Sequence, residues 1–215
     1  MKNLKMKVIK SALHGFGILM LTMSLNSSAW ALSVESQAIV HESYTLESQG
    51  QIEQSIKKMQ KVAFTYPDDY FVNYRLGWLF SVSKKYRNSI ESYEKAAALS
   101  PESIEPWLGM SAIYVGLLDY PITVKMCIEV LKRDAAHYVA TQRFIYAAIR
   151  MKDFQAVNNR AEMALKLFPS DVVLLEQKAF ALKNLGKNDE AKSAASLLIL
   201  LSPTNAYAKS LLTGI

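Results

Sequence analysis

Residues 70–103 read YFVNYRLGWLFSVSKKYRNSIESYEKAAALSPES. The stretch has the pattern of two short amphipathic helices and a stop. The first helix is predicted at about Tyr70–Ser83 and the second at about Tyr86–Leu99. Pro101 ends the second, because proline lacks the N–H that a helix needs to continue. Stepping from Pro101 by the length of this stretch, in both directions, lands on Pro67, Ala135, Pro169 and Pro203, so four of the six prolines share one register. The other two, Pro106 and Pro121, fall in the first turns of helices, where a missing N–H does no harm. One helix pair of this kind cannot bury its own apolar face, so it has to stack on copies of itself.

The register divides the chain into 36–69, 70–103, 104–137, 138–171 and 172–205, with no insertion. Each unit resembles a tetratricopeptide repeat, the 34-residue helix–turn–helix unit. In 70–103 the resemblance rests on Leu76-Gly77, Phe80 for the usual tyrosine, Ser89 for the small alanine, Tyr93, Ala96 and Pro101. Asn73 stands where tryptophan is usual. Repeat 104–137 supplies Trp107, Met110-Ser111, Tyr114 and Tyr120. Repeat 138–171 supplies Phe144, Phe154, Ala164 and Pro169, and 172–205 supplies Ala179, Gly186, Ala191 and Pro203. In 36–69, Ser43, Gly50, Ser55 and Pro67 fit, but Glu42 occupies the leucine site. Lys178 occupies the same site in 172–205. Asp68-Asp69, Ser170-Asp171 and Thr204-Asn205 precede first helices and are good N-cap types. The resemblance implies an all-α, right-handed α-solenoid of five such units, about ten helices, plus a short C-terminal helix.

Two columns of residues govern how closely the helices of each pair cross. One runs Ser43, Gly77, Ser111, Ile145, Ala179; the other Ser55, Ser89, Thr123, Val157, Ala191. Repeat 138–171 is bulky in both. Overpacking a close crossing costs about 1–3 kcal/mol unless the helices separate, so this repeat is expected to be splayed, with Ala148 taking up part of the volume. At the C-terminal end, Ala194–Leu201 is apolar nearly all round. The stub at 206–215, with Tyr207, Leu211 and Leu212, is expected to cap it. Failing that, 194–215 would form a self-association surface.

Residues 1–31 have the pattern of a cleaved signal peptide. Lys2, Lys5, Lys7 and Lys10 form a basic n-region, residues 16–25 an apolar h-region, and Ala29-Trp30-Ala31 a small–x–small cleavage site. The h-region is about half the roughly 20 residues needed to span a membrane, so cleavage is expected over an uncleaved anchor. Residues 32–35 are a short linker. The signal implies a periplasmic protein of a bacterial envelope with no membrane span after cleavage. Setting the four N-terminal lysines aside leaves 21 of the 25 basic residues against 19 acidic ones. That balance gives no electrostatic reason to expect nucleic acid. Cys127 is the sole cysteine, which excludes an internal disulfide and makes packing alone responsible for stability.

Catalytic constellations are absent from the sequence: no phosphate-cradling glycine loop, no H-E-x-x-H and no paired-cysteine metal site. Only His41 and His137 follow the leader, far apart in sequence. No enzyme activity, cofactor or metal is expected. The resemblance implies that first helices line a concave groove, reached from the second, fifth, sixth, ninth, twelfth and thirteenth positions of each repeat. The ninth position reads Tyr44, Trp78, Ala112, Tyr146, Phe180, one ring per repeat with a gap at Ala112. Beside them lie Phe71, Tyr74 and Arg75, then Gln142, Arg143 and Arg150, with Lys183 and Asn184 further on. These rings either fill space between adjacent first helices or form a ladder that takes a peptide or helix of a partner protein. Similar domains hold C-terminal carboxylates with a lysine and asparagine clamp, but the asparagine sites are aromatic here. The expected function is a non-enzymatic protein–protein adaptor of the cell envelope. The alternative is a glycan-binding module that stacks sugars on the same rings.

Overall fold

The computed structural model describes residues 32–213, and these form eleven helices and no strand. The predicted signal peptide lies outside the described residues, as do Gly214 and Ile215. The first helices of the pairs are α1 (Val34–Ser48), α3 (Tyr70–Val82), α5 (Glu105–Gly116), α7 (Tyr138–Arg150) and α9 (Val172–Asn184). Their partners are α2 (Ile52–Thr65), α4 (Tyr86–Leu99), α6 (Tyr120–Arg133), α8 (Phe154–Leu165) and α10 (Asn188–Leu201). A last helix, α11 (Ala206–Thr213), stands alone. The architecture is an all-α solenoid in which each helix packs on its neighbours in sequence.

The turn inside each pair is made the same way five times. Gly50, Lys84, Leu118, Lys152 and Gly186 all have positive φ, from 59° to 75°, and occupy one position of the repeat. In each turn the next residue's N–H reaches back five residues, as Lys85 N does to Phe80 O at 2.8 Å and Asp119 N to Tyr114 O at 2.9 Å. This is the Schellman ending, which satisfies carbonyls that a helix end leaves bare. Helix starts are fixed by side chains. Asp69, Asp119, Asp153 and Asp171 each accept the N–H three residues on. His137 does the same for α7 through Nδ1 at 3.2 Å, so this histidine is a cap.

Burial is segmented into clusters along the array instead of one central core, as nearest-neighbour stacking requires. The small columns sit at the crossings. Ser55 Oγ donates to Ser43 O at 2.8 Å, and Ser89 Oγ to Gly77 O at 2.6 Å. In the fourth pair, Ile145 and Val157 are fully buried in one cluster with Ala148. There α7 and α8 meet at fewer points along their backbones than the helices of the other four pairs, in the direction the bulk of those two side chains predicts, although α8 is also the shortest second helix. Glu42 at the leucine site of the first repeat is exposed and pairs with Lys58 of α2 at 2.6 Å.

Curvature follows from which helices approach. α3 comes near α5 and α5 near α7, while among the described residues no two second helices come comparably close. First helices therefore line the inner side. At the C-terminal end, Ala208 and Leu211 of α11 are buried with Leu175, Ala179, Leu182 and Leu198, so α11 covers one face of the last pair. Leu197, Leu200 and Leu201 stay exposed. Among the described residues no helix is long and apolar enough to cross a membrane.

Candidate functional site

The concave face carries the ladder of rings in a half-exposed state. Tyr44, Trp78 and Tyr146 are each 45% exposed. Phe180 is more buried, edge-on to Phe154 at 5.7 Å and tilted against Tyr207 at 6.2 Å. Tyr146 meets Tyr120 edge-on at 6.0 Å. Arg150 lies over Tyr120 at 5.7 Å and donates through Nε to its hydroxyl at 3.2 Å.

At Ala112 the ladder breaks, and a cavity of about 190 Å³ opens there. Tyr74, Trp78 and Ser81 of α3 form one wall. Glu105, Leu108, Gly109 and Ala112 of α5 line it, and Arg143 of α7 closes the far side. Tyr93 of α4 reaches the same cavity between the two first helices. Tyr74 is held between two rings, Tyr70 at 6.0 Å and Tyr93 at 5.8 Å.

Two arginines in one register have different surroundings. Arg75, expected as a groove cation, is only 4% exposed. It pairs with the Glu47 carboxylate one repeat upstream, lies 3.8 Å over the Tyr44 ring and donates to Ser43 Oγ at 3.5 Å. Trp78 donates its indole N–H to Glu47 Oε1 at 2.6 Å. Burial pushes the Glu47 carboxyl up, but the hydrogen bonds from Trp78 and Arg75 together hold it below the usual carboxylate range. Tyr44, Glu47, Arg75 and Trp78 thus tie α1 to α3, and Arg75 belongs to the packing.

Arg143 stands two repeats after Arg75 and makes the same backward reach. Nη1 donates to Ser111 Oγ and Leu108 O, both at 2.8 Å. The residue in the place of Glu47 is now Val115. Among the described residues no carboxylate pairs with Arg143. Burial also weakens its hold on its proton. Arg143 therefore makes no ion pair, although the Glu105 carboxylate stands on the wall of the same cavity.

Of the remaining predicted residues, Phe71 packs on the cluster between the first two pairs. Gln142 accepts from Gln177 at 2.6 Å across adjacent first helices. Composition of the groove positions did not single out Glu47, although it occupies a twelfth position three residues after Tyr44. Nor did it single out Gly109, at the sixth position shared with Arg75 and Arg143. Among the described residues no cluster of His, Cys, Asp or Glu fits a metal ion. Cys127 is buried, and burial pushes its thiol up to about 11.

The family model for the tetratricopeptide repeat matches residues 72–103. Solved structures extend the likeness to nearly the whole described array. MamA (residues 41 to the end) from Desulfovibrio magneticus superposes with a TM-score of 0.65 at 14% identity, over 82% of this chain and 99% of that one. Residues 72–103 thus match a tetratricopeptide repeat, and the described array shares the fold of tetratricopeptide repeat proteins. A tetratricopeptide repeat protein from Parabacteroides merdae has a TM-score of 0.66 at 16% identity, over 82% of this chain and 70% of its own. YrrB, described as a TPR protein with an unusual peptide-binding site, has a TM-score of 0.63 at 12% identity, over 80% and 88%. No curated protein sequence matches this chain.

Proposed function

We propose that this chain is a non-enzymatic adaptor that binds an extended or helical segment of a partner protein in its concave groove. The observation that carries this is the cavity at Ala112, bounded by Trp78 and Tyr74 on one side and on the other by Arg143, which makes no ion pair. Its volume suits one bulky side chain. A partner residue there would bury its apolar surface on the rings, and a neighbouring carboxylate would offset the Arg143 charge. The fold supports a scaffolding role, and YrrB gives an instance of peptide binding on it. The basic, apolar and small–x–small order of residues 1–31 supports a setting in the bacterial envelope.

The test is selection from a random peptide library on the immobilised protein, residues 32–215. Sequences with an aromatic or bulky aliphatic residue close to Asp or Glu should be enriched. Ala112→Trp, which fills the gap, should abolish their binding. Arg143→Met should remove the preference for the acidic neighbour while keeping the apolar one. Peptides that bind Ala112→Trp as well as the original would overturn the reading. So would retention of polysaccharide, and no peptide, by the unsubstituted groove.

A further inference from the structure

A separate cavity opens on the convex side, between second helices. It has a volume of about 370 Å³ between α6 and α8. Ile128 and Leu131 come from α6, Phe144 from α7, and Ala156 and Met163 from α8. The polar residues on its wall are Lys132, Asn159 and Arg160. Lys132 is already held by Glu129 at 2.6 Å.

Arg160 is in a different position. It is 7% exposed. Nη2 donates to Ala135 O at 3.0 Å and to Thr141 Oγ1 at 2.8 Å, while Nε has no hydrogen-bond partner. No carboxylate pairs with it among the described residues. The Ala135 carbonyl, just past the end of α6, offers only the partial negative charge of a helix terminus. Nε is itself shut off from solvent, so it is the unpaired charge of the guanidinium, and not the free donor, that an anion in the cavity would offset. Burial accordingly weakens its hold on its proton.

The same groove recurs one repeat on, between α8 and α10, with a volume of about 500 Å³. There Leu165 replaces Leu131 and Leu197 replaces Met163, but Ala194 replaces Arg160 and Glu190 stands on the wall. The apolar trough is therefore a product of stacking, and the buried guanidinium is peculiar to the α6–α8 cavity.

We propose that this cavity binds a medium-chain fatty acid, with the aliphatic tail on Ile128, Leu131, Phe144 and Met163 and the carboxylate on Arg160. A peptide is the poorer occupant. Its backbone amides would need partners, and beyond the two cations the wall offers only Asn159. A fatty acid has one polar group, matching the one cation without a counter-ion, and otherwise only surface that gains from leaving water. The site lies on the opposite face from the groove and does not depend on what the groove binds.

The probe is decanoate, titrated calorimetrically into residues 32–215 and compared with decanol and with a short peptide ending in leucine. Decanoate should bind saturably with one site, at least tenfold tighter than either comparison ligand. Arg160→Met should reduce decanoate to the level of decanol. Ala156→Leu, which narrows the cavity and leaves Arg160 in place, should abolish both, with unchanged helicity by circular dichroism. The absence of saturable binding, equal affinity for decanol, tighter binding of the peptide, or full binding by Ala156→Leu would each overturn the proposal. Because Ala156→Leu spares the Arg160 contacts, the result stands even if Arg160→Met fails to fold.

Discussion

The ring of Tyr93 lies so close to Gly109 that a Cβ there would stand 2.5 Å from the tyrosine Cζ. The other edge of the ring covers Gly77, where a Cβ would meet Cδ1 at 2.6 Å. One tyrosine from α4 is thus seated between backbones of α3 and α5, and it is 2% exposed. Gly77→Ala and Gly109→Ala should each lower stability by about 1–3 kcal/mol through overpacking. Urea unfolding followed by circular dichroism measures this. Tyr93→Leu added to Gly109→Ala should recover part of the loss, and an additive double mutant would refute the steric explanation.

Three of the five turns place a residue with a side chain in the left-handed region. That conformation costs such residues roughly 1–2 kcal/mol, partly offset by the greater freedom glycine has in the unfolded chain. Lys84→Gly, Leu118→Gly and Lys152→Gly should therefore each stabilise the array, by about 0.5 kcal/mol net. Gly50→Ala and Gly186→Ala should do the reverse. Midpoints of chemical unfolding for the five variants give the comparison, and an unchanged midpoint across all of them would count against it.

The link from Trp78 to Glu47 makes one groove ring sensitive to acid. The Glu47 carboxyl is held below its ordinary range when folded, so its contribution is present above the unfolded value and is lost as pH falls through the folded one. Stability should decline between pH 5 and acid more steeply in the unsubstituted protein than in Glu47→Gln. Trp78 fluorescence should change over the same window. A parallel decline in both proteins would show that the carboxylate is not coupled to folding.

At the alkaline end the sensitive group is Cys127. Its folded value of about 11 exceeds the unfolded value near 9, so the folded state holds the proton more tightly. Stability is full below about pH 9 and falls as pH rises towards 11. Cys127→Ala should remove that part of the slope. At pH 8 the thiol should react with a disulfide reagent only as fast as the array opens, with rate rising in urea. Fast labelling under native conditions would contradict its burial.

The helix pairs were legible in the sequence because proline spacing and helical periodicity are local signals. Phe80, Tyr93 and Ala96 announce a stacked unit wherever they fall in that period. Lys84, Leu118 and Lys152 were not legible as left-handed residues, since nothing in a lysine or leucine side chain favours positive φ. The turn imposes it. Ala112 was legible as a gap in the ladder, but the cavity behind it depends on Gly109 and on Tyr93 from another helix. Arg75 shows the limit most clearly. Its position on the helix names the concave side, but a long guanidinium can bend back to whatever carboxylate stands one repeat earlier. Glu47 therefore decides that Arg75 is buried, and Val115 leaves Arg143 without an ion-pair partner.

The loose crossing of α7 and α8 has a mechanical consequence. In an array whose neighbours touch only each other, contacts act in series, like links under tension. Whichever link is softest sets where the whole array yields. Among the five within-pair crossings, Ile145 against Val157 puts the loosest one inside the array instead of at an end. Under load or mild denaturant the fourth pair would be the first to open, with α7 staying on the block that carries the Ala112 cavity and α8 staying with the last pair and α11.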